Sequence, residues 1–282
     1  MAFSFIDLLP EAWRWDRTVV PVLRLTGAIG VNIPLRPGLT LADLETPLAR
    51  AFGIKSAPAV AIVINSPGGA AVQSHQIFER IRDLAEEKEK QVIVAVEDVA
   101  ASGGYMIAVA GDEIIVDRTS IVGSIGVVSA SFGFTKLIER IGVERRVHTA
   151  GEKKVMLDPF RPERAEDVEH LKSLQEDVHK AFIELVKTRR GDALADDPDL
   201  FSGAFWSGER AVALGLADRV GELRGVLKER FGKDVRIKTI STERGGWRRR
   251  LGLFGRFDGA TRIVDHTIAA LEERLLWNRF GL

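Results

Sequence analysis

Residues 95–117 read AVEDVAASGGYMIAVAGDEIIVD, with a single serine, Ser102, followed at once by Gly103 and Gly104. A second glycine pair stands in INSPGGA, residues 64–70. Glycine weakens regular structure, so a pair of them at the end of an apolar run implies a tight turn or a close approach to the backbone. One reading is two strand–helix turns packed into a core. The other is a nucleophile with amide groups beside it. A serine attacking a carbonyl needs two preorganised N–H donors for the oxyanion, and exposed glycine backbone supplies them. Gly103 N–H, directly after the serine, is one such donor and Gly69 N–H the other.

A serine hydroxyl also needs a base. The five histidines are His75, His148, His170, His179 and His266. His170 and His179 fall on an amphipathic helix, His266 in the tail, and His75 reads as a helix residue after the glycine turn, which leaves His148 as the histidine to test. The alternative is lysine, which acts as a base only when burial or a neighbour disfavours its charged form. HTAGEKKVMLDPF, residues 148–160, sets Lys153 and Lys154 before an apolar Val-Met-Leu, a suitable setting for a desolvated amine. Acidic residues are too numerous to identify a triad.

These groups sit in a chain of 282 residues with 45% apolar and 28% charged side chains, the composition of an ordinary globular protein of one or two domains. Basic and acidic residues balance at 40 each, so net charge argues neither for nor against a nucleic-acid partner; no nucleic acid is expected. The absence of cysteine excludes disulfides, thiolate metal ligands and a cysteine nucleophile. The N-terminus lacks the basic and apolar regions of a secretory signal. The longest charge-free run, 56–78, is broken by Asn-Ser-Pro-Gly-Gly, whose backbone would go unsatisfied in lipid.

The elements that must position the chemistry alternate. Strands are expected at 19–25, 59–65, 91–97, 113–117 and 125–130, with helices over 40–53 (interrupted by Pro47), 70–90 and after Ser102. Strands that are apolar on both faces and alternate with helices indicate a parallel sheet covered on two sides. Its strand C-termini share one edge, where ligand sites form, so both glycine pairs should face one crevice. A long helix is expected over 163–190, with Val168, Leu171, Leu174, Val178, Phe182 and Leu185 as its buried stripe. A helix at 207–215, another beyond it and a final strand, VRIKTIS, complete the domain.

Taken in order, INSPGG, VAASGGYMIAVAGDEIIVDRTSIVGSIGV and AGEKKVMLDPFRPE resemble the signal peptide peptidase A family, which includes protease IV and SohB-type enzymes. The likeness runs from about residue 19 to 220 and includes SGAFWSGERAVALGLADRVGEL. It implies the Clp protease/crotonase fold, an α/β architecture, and serine endopeptidase activity without metal, nucleotide or other cofactor. It further implies Ser102 as nucleophile, Lys154 as general base, Gly69 and Gly103 as oxyanion donors, and Ser124 as the residue that orients the lysine. Ile125, Gly126 and Val127 follow Ser124 where Clp-type enzymes carry their histidine, which favours a Ser/Lys dyad. Lys153 adjoins Lys154, so the choice between them rests on spacing.

The resemblance also implies unfolded or apolar peptide substrates, such as signal-peptide remnants and membrane-protein fragments. Single-copy members form rings in which neighbouring subunits help complete each site, so a homo-oligomer is expected. Most members carry an N-terminal membrane anchor, and none is expected from this sequence. Three regions are therefore expected: an apolar, aromatic segment over 1–18, a peptidase domain over 19–241, and a basic aromatic tail over 242–282 with a helix at 259–277. Phe3, Phe5, Trp13 and Trp15, with RGGWRRRLGLFGRF at 244–257, suit peripheral binding to an anionic membrane, here the cytoplasmic face of the inner membrane. Two other readings compete: a crotonase-like acyl-CoA enzyme with the same oxyanion hole, and an inactive scaffold.

Overall fold

The computed structural model describes residues 18–30, 32–33, 36–242 and 274–282. In chain order the elements are β1 (Val19–Thr26), β2 (Asn32–Ile33), β3 (Arg36–Pro37), α1 (Leu41–Phe52), β4 (Ala59–Ser66), α2 (Ala71–Glu87), β5 (Gln91–Ala101), α3 (Gly103–Ala108), β6 (Glu113–Val116) and β7 (Ile121–Gly123). There follow α4 (Thr135–Arg140), α5 (Ala165–Arg190), β8 (Phe205–Ser207), α6 (Gly208–Ala213), β9 (Arg219–Val220), α7 (Leu223–Phe231) and β10 (Arg236–Ile240).

The main sheet runs β10-β1-β4-β5-β6-β9, all parallel, while β7 pairs with β5 and β8 lies antiparallel to β7. β4 is buried at every residue but Asn65, as the run of Ala, Val and Ile requires when both faces are covered. Alternation along the strands divides the core. Leu23, Leu25, Ile62, Ile64, Val92 and Val94 face α1, α2, α3 and the end of α5. Val20, Val22, Ala61, Val63, Ile93 and Ile115 face α7 through Val226 and Leu227. Consecutive residues of one strand thus serve opposite layers.

Three expectations need correction. Helix α1 continues through Pro47, whose ring is buried with Leu44, Leu48, Ala51 and Phe52. Burial of that face, with Thr40 accepting the Asp43 amide as N-cap, outweighs the lost backbone hydrogen bond. The strand expected at 125–130 is instead β7 at 121–123, since Gly123 and Ser124 both adopt positive φ and turn the chain off the sheet. The stripe on α5 is buried only in its second half, at Phe182 and Val186, while Leu174 and Val178 remain exposed.

That exposed half of α5 accompanies an arm, residues 127–160, that leaves the sheet and doubles back on itself. Phe134 N–H donates to Pro159 O at 2.6 Å, the Phe134 and Phe160 rings lie 5.6 Å apart, and Arg145 stacks over Phe160 while pairing with Asp158. Its helix α4 buries no residue, and Val128, Phe132, Leu137 and Ile141 are open to solvent. At the other end of the chain, 274–278 is helical, and Trp277 and Phe280 pack on Val99, Ala101 and Ile121. The aromatic stretch before residue 18, the basic stretch at 244–257 and the rest of the helix expected at 259–277 lie outside the described residues.

Candidate active site

Ser102 ends β5 and begins α3 with φ 52° and ψ −122°, a backbone conformation strained for any residue with a side chain. The turn is held on both sides: Ser102 N–H donates to Gly123 O at 2.8 Å, and Ser102 O accepts from Met106 N–H at 2.9 Å. Its hydroxyl does not cap α3 and the residue is partly exposed, so Oγ is presented at the sheet edge. Gly103 follows in contact with α2. A Cβ there would lie 2.2 Å from Ser74 Oγ, so only glycine lets the two helices approach this closely.

The turn after β4 meets this one. A Cβ on Gly68 would stand 2.8 Å from Ser102 Cβ and 3.0 Å from Gly103 N. Gly68 O accepts from Ile29 N–H, and Ala70 N–H donates to Ile29 O, both at 2.8 Å, so residues 68–70 are laced to the end of β1. Gly69 between them has φ +144° and would place a Cβ 2.1 Å from Ile29 O. Among the described residues neither Gly69 N–H nor Gly103 N–H has an acceptor, and the two turns that carry them touch. Sequence reasoning selected the glycine pairs but missed Ile29, which anchors one turn and carries no signal in the sequence.

Ser124 lies alongside. β7 pairs with β5 through Ala101↔Gly123, so Ser124 is the next residue beside Ser102. It has φ 53°, is 2% exposed and donates its N–H to Ala204 O at 2.7 Å. Gly123 admits the Trp206 ring, whose edge would lie 2.8 Å from a Cβ at that position. His179, read above as a residue of the amphipathic helix, reaches Ile125 O with Nε2 at 3.0 Å and so ties α5 to the loop that follows Ser124.

Lys154 stands on another segment. It lies on the arm with an exposed side chain, and among the described residues no hydrogen bond or ion pair joins it to Ser102 or Ser124. Lys153 and His148 are also exposed on the arm. The lysine turn is nonetheless held at its far end. Leu157, at φ 54°, donates its N–H to Asp167 Oδ2 at 3.3 Å, and Arg164 grips Asp167 at 2.8 and 3.2 Å. The Arg164 hydrogen bond, then that from Leu157, and the charges of Arg164 and Lys153 hold the Asp167 carboxyl below the usual carboxylate range. The structure therefore brings Ser102, Gly103, Gly69 and Ser124 together, and among the described residues Lys154 makes no bond to them.

Residues 14–149 match the profile described as ClpP-like SDH-type serine proteinase, in keeping with the mostly parallel sheet and its covering helices. Residues 85–235, over half of the chain, match peptidase family S49. The chain belongs to that family. A protein of Brucella abortus named Na(+)/H(+) antiporter NhaA is 54% identical over 98% of this chain but only 38% of its own length. Serine protease SPPA, chloroplastic, of Arabidopsis thaliana is 37% identical over 73% of this chain and 31% of its own length. The Haemophilus influenzae protein carrying the name SohB is 31% identical over 63% of this chain and 49% of its own. The chain thus spans a third to a half of these relatives. Among its described residues no helix is long and apolar enough to cross a membrane.

Proposed function

We propose that this chain is a serine endopeptidase that uses Ser102 as nucleophile and Lys154 as general base. The observation that carries the reading is the strained, partly exposed Ser102 flanked by two amides, Gly69 N–H and Gly103 N–H, that have no acceptor among the described residues. Neutral Lys154 takes the Oγ proton as Oγ bonds to the peptide carbonyl carbon. The negative charge that moves to the carbonyl oxygen is met by the two amides. Collapse breaks the C–N bond, and the lysine ammonium returns the proton to the departing amine. Water, deprotonated by the same lysine, then hydrolyses the acyl-enzyme and frees Ser102.

Because Lys154 stands exposed on the arm, the reading includes a homo-oligomeric ring in which packing by a neighbouring copy covers the arm and desolvates the lysine. The apolar side chains open on α4 and the first half of α5 support this. Ser124, buried beside Ser102, would accept a hydrogen bond from the lysine once it arrives. Apolar, unfolded peptides are the proposed substrates, and Val72, 67% exposed in the first turn beyond Gly69, offers them apolar contact. The antiporter name of the Brucella relative supports a place beside a membrane, which the basic tail would bind peripherally from the cytoplasmic side.

The test is intact-mass analysis of the assembled chain after a fluorophosphonate, beside Ser102→Ala. One adduct on the wild type and none on the variant is the expected result. An oligomer without an adduct that binds acyl-CoA would replace this reading with a crotonase-like one. An oligomer that binds neither would leave a scaffold.

A further inference from the structure

Strand β5 changes partner halfway. Ile93–Val96 pair with β6, whereas Val99–Ala101 pair with β7. The change occurs at an irregularity opposite Asn65: Ile64 pairs with Val96 but Ser66 with Ala100, so β5 spends two extra residues there. Such a bulge leaves backbone groups without ladder partners and bends the strand. Here they are met by side chains. Asn65 Oδ1 accepts from Val99 N–H at 3.3 Å, and Asn65 Nδ2 donates to Asp98 Oδ2 at 2.6 Å. On the carbonyl side the hydroxyl of Ser120, 1% exposed, donates to Glu97 O at 2.5 Å. Ser66, next after Asn65 and pointing to the opposite face, accepts the Gly68 N–H at 3.2 Å.

We infer that Asn65, with Ser66 and Ser120, is a positioning residue for the nucleophile. It holds the bulge that transfers β5 to β7, and this transfer is what sets Ser102 beside Ser124. Ser66, from the same dipeptide, shapes the turn that carries Gly69 N–H. One two-residue step on β4 therefore fixes both the nucleophile strand and an oxyanion turn, and it rests on the peptidase reading for its meaning in catalysis. An ångström of misplacement in such a site lowers rate by about 100-fold. Ground-state peptide binding, which depends on the cleft, changes much less.

The experiment uses the assembled full chain and a fluorogenic apolar peptide. Asn65→Leu, which keeps the branched shape but removes both hydrogen bonds, should lower kcat by about 100-fold and leave KM within about threefold. Asn65→Asp sets a second carboxylate against Asp98 and should lose about 30-fold, through the same misplacement. Adding Asp98→Asn reverses the donor and acceptor of that pair and should bring kcat back to within about threefold of wild type. Amide exchange over residues 97–102 should be at least about tenfold faster in Asn65→Leu.

A wild-type kcat and unchanged exchange in Asn65→Leu, or a double variant no better than Asn65→Asp, would overturn the inference. Should Asn65→Leu fail to assemble, the comparison of N65D alone with N65D plus D98N decides. A wild-type chain that neither hydrolyses peptide nor takes up fluorophosphonate would sink the peptidase reading instead, and the amide-exchange contrast alone would then decide the positioning role.

Discussion

Two regions carry the residues proposed for the chemistry, and they are built in opposite ways. The sheet edge holds Ser102, Gly103, Gly69 and Ser124 on turns where backbone meets backbone, with glycine contacts that no side chain could share. The arm at 127–160 holds Lys154 among exposed residues, pinned to itself and to the start of α5. One region is complete within the chain. The other leaves apolar side chains open to solvent, and under the proposed reading the difference places control of the activity in bringing the arm to the edge, not in building the edge.

The largest effect that tests this comparison is on turnover. Ser102→Ala should remove the fluorophosphonate adduct and lower kcat by about 10⁴-fold or more. Lys154→Ala should lose about 10³-fold, and Lys153→Ala should remain within about threefold, as befits a lysine whose charge serves Asp167. Equal losses from both lysines would break the assignment. Peptidase activity of the wild type should also rise with pH, because a lysine must lose its proton to act as base. A flat profile with chemistry limiting the rate would argue against any lysine.

Next comes the response to a single methyl group. Gly69→Ala puts Cβ 2.1 Å from Ile29 O at a φ of +144°. It should cost about 2–4 kcal/mol in urea unfolding, with loss of activity. Gly133→Ala, on the arm with nothing within 4 Å, should stay within about 0.5 kcal/mol. A tolerant Gly69 would mean the edge is not preformed.

A third contrast separates folding from assembly. Ile62→Ala, in the core between β1 and β5, should cost about 2–5 kcal/mol. Ile141→Asp, on the open face of the arm, should leave stability of the single chain within about 0.5 kcal/mol. It should nonetheless shift sedimentation toward monomer and lower activity in proportion. An oligomer indifferent to Ile141→Asp would free the arm from the role given to it.

The smallest effect concerns acid. Because the Asp167 carboxyl is held below its ordinary range, it stabilises the lysine turn at all pH values above that range. The contribution is lost as pH falls through the lower, folded-state value. Limited proteolysis of the arm should therefore increase below about pH 4, and Asp167→Asn should flatten that dependence.

Much of this was legible in the residues. Alternating buried strands and helices declared the doubly covered parallel sheet, since a strand apolar on both faces has no other stable setting. The glycine pairs flagged the two turns, because a close backbone approach leaves few alternatives to glycine. The strand misplaced to 125–130 shows the limit. Ile125, Val127 and Val128 have strand-forming side chains, but two consecutive positive φ values at Gly123 and Ser124 end the pairing. Asn65 was in view inside INSPGG, yet nothing in the sequence says that its amide fills a bulge on a strand distant along the chain.

The sequence by itself determined the layers and the order of the elements and singled out the two glycine turns, because hydrophobic period and backbone freedom are local properties, while Ser102 and Lys154 as a pair came only from the family resemblance. Only the tertiary structure decided which of those residues meet. Contact between the turns after β4 and β5 depends on register between strands, on Ile29 at the end of a third, and on a bulge held from its neighbour. The exposure of Lys154 on the arm was decided there as well. Whether an amphipathic arm folds onto its own sheet or stands away depends on the surface it must cover, and no spacing of residues along the chain encodes that surface.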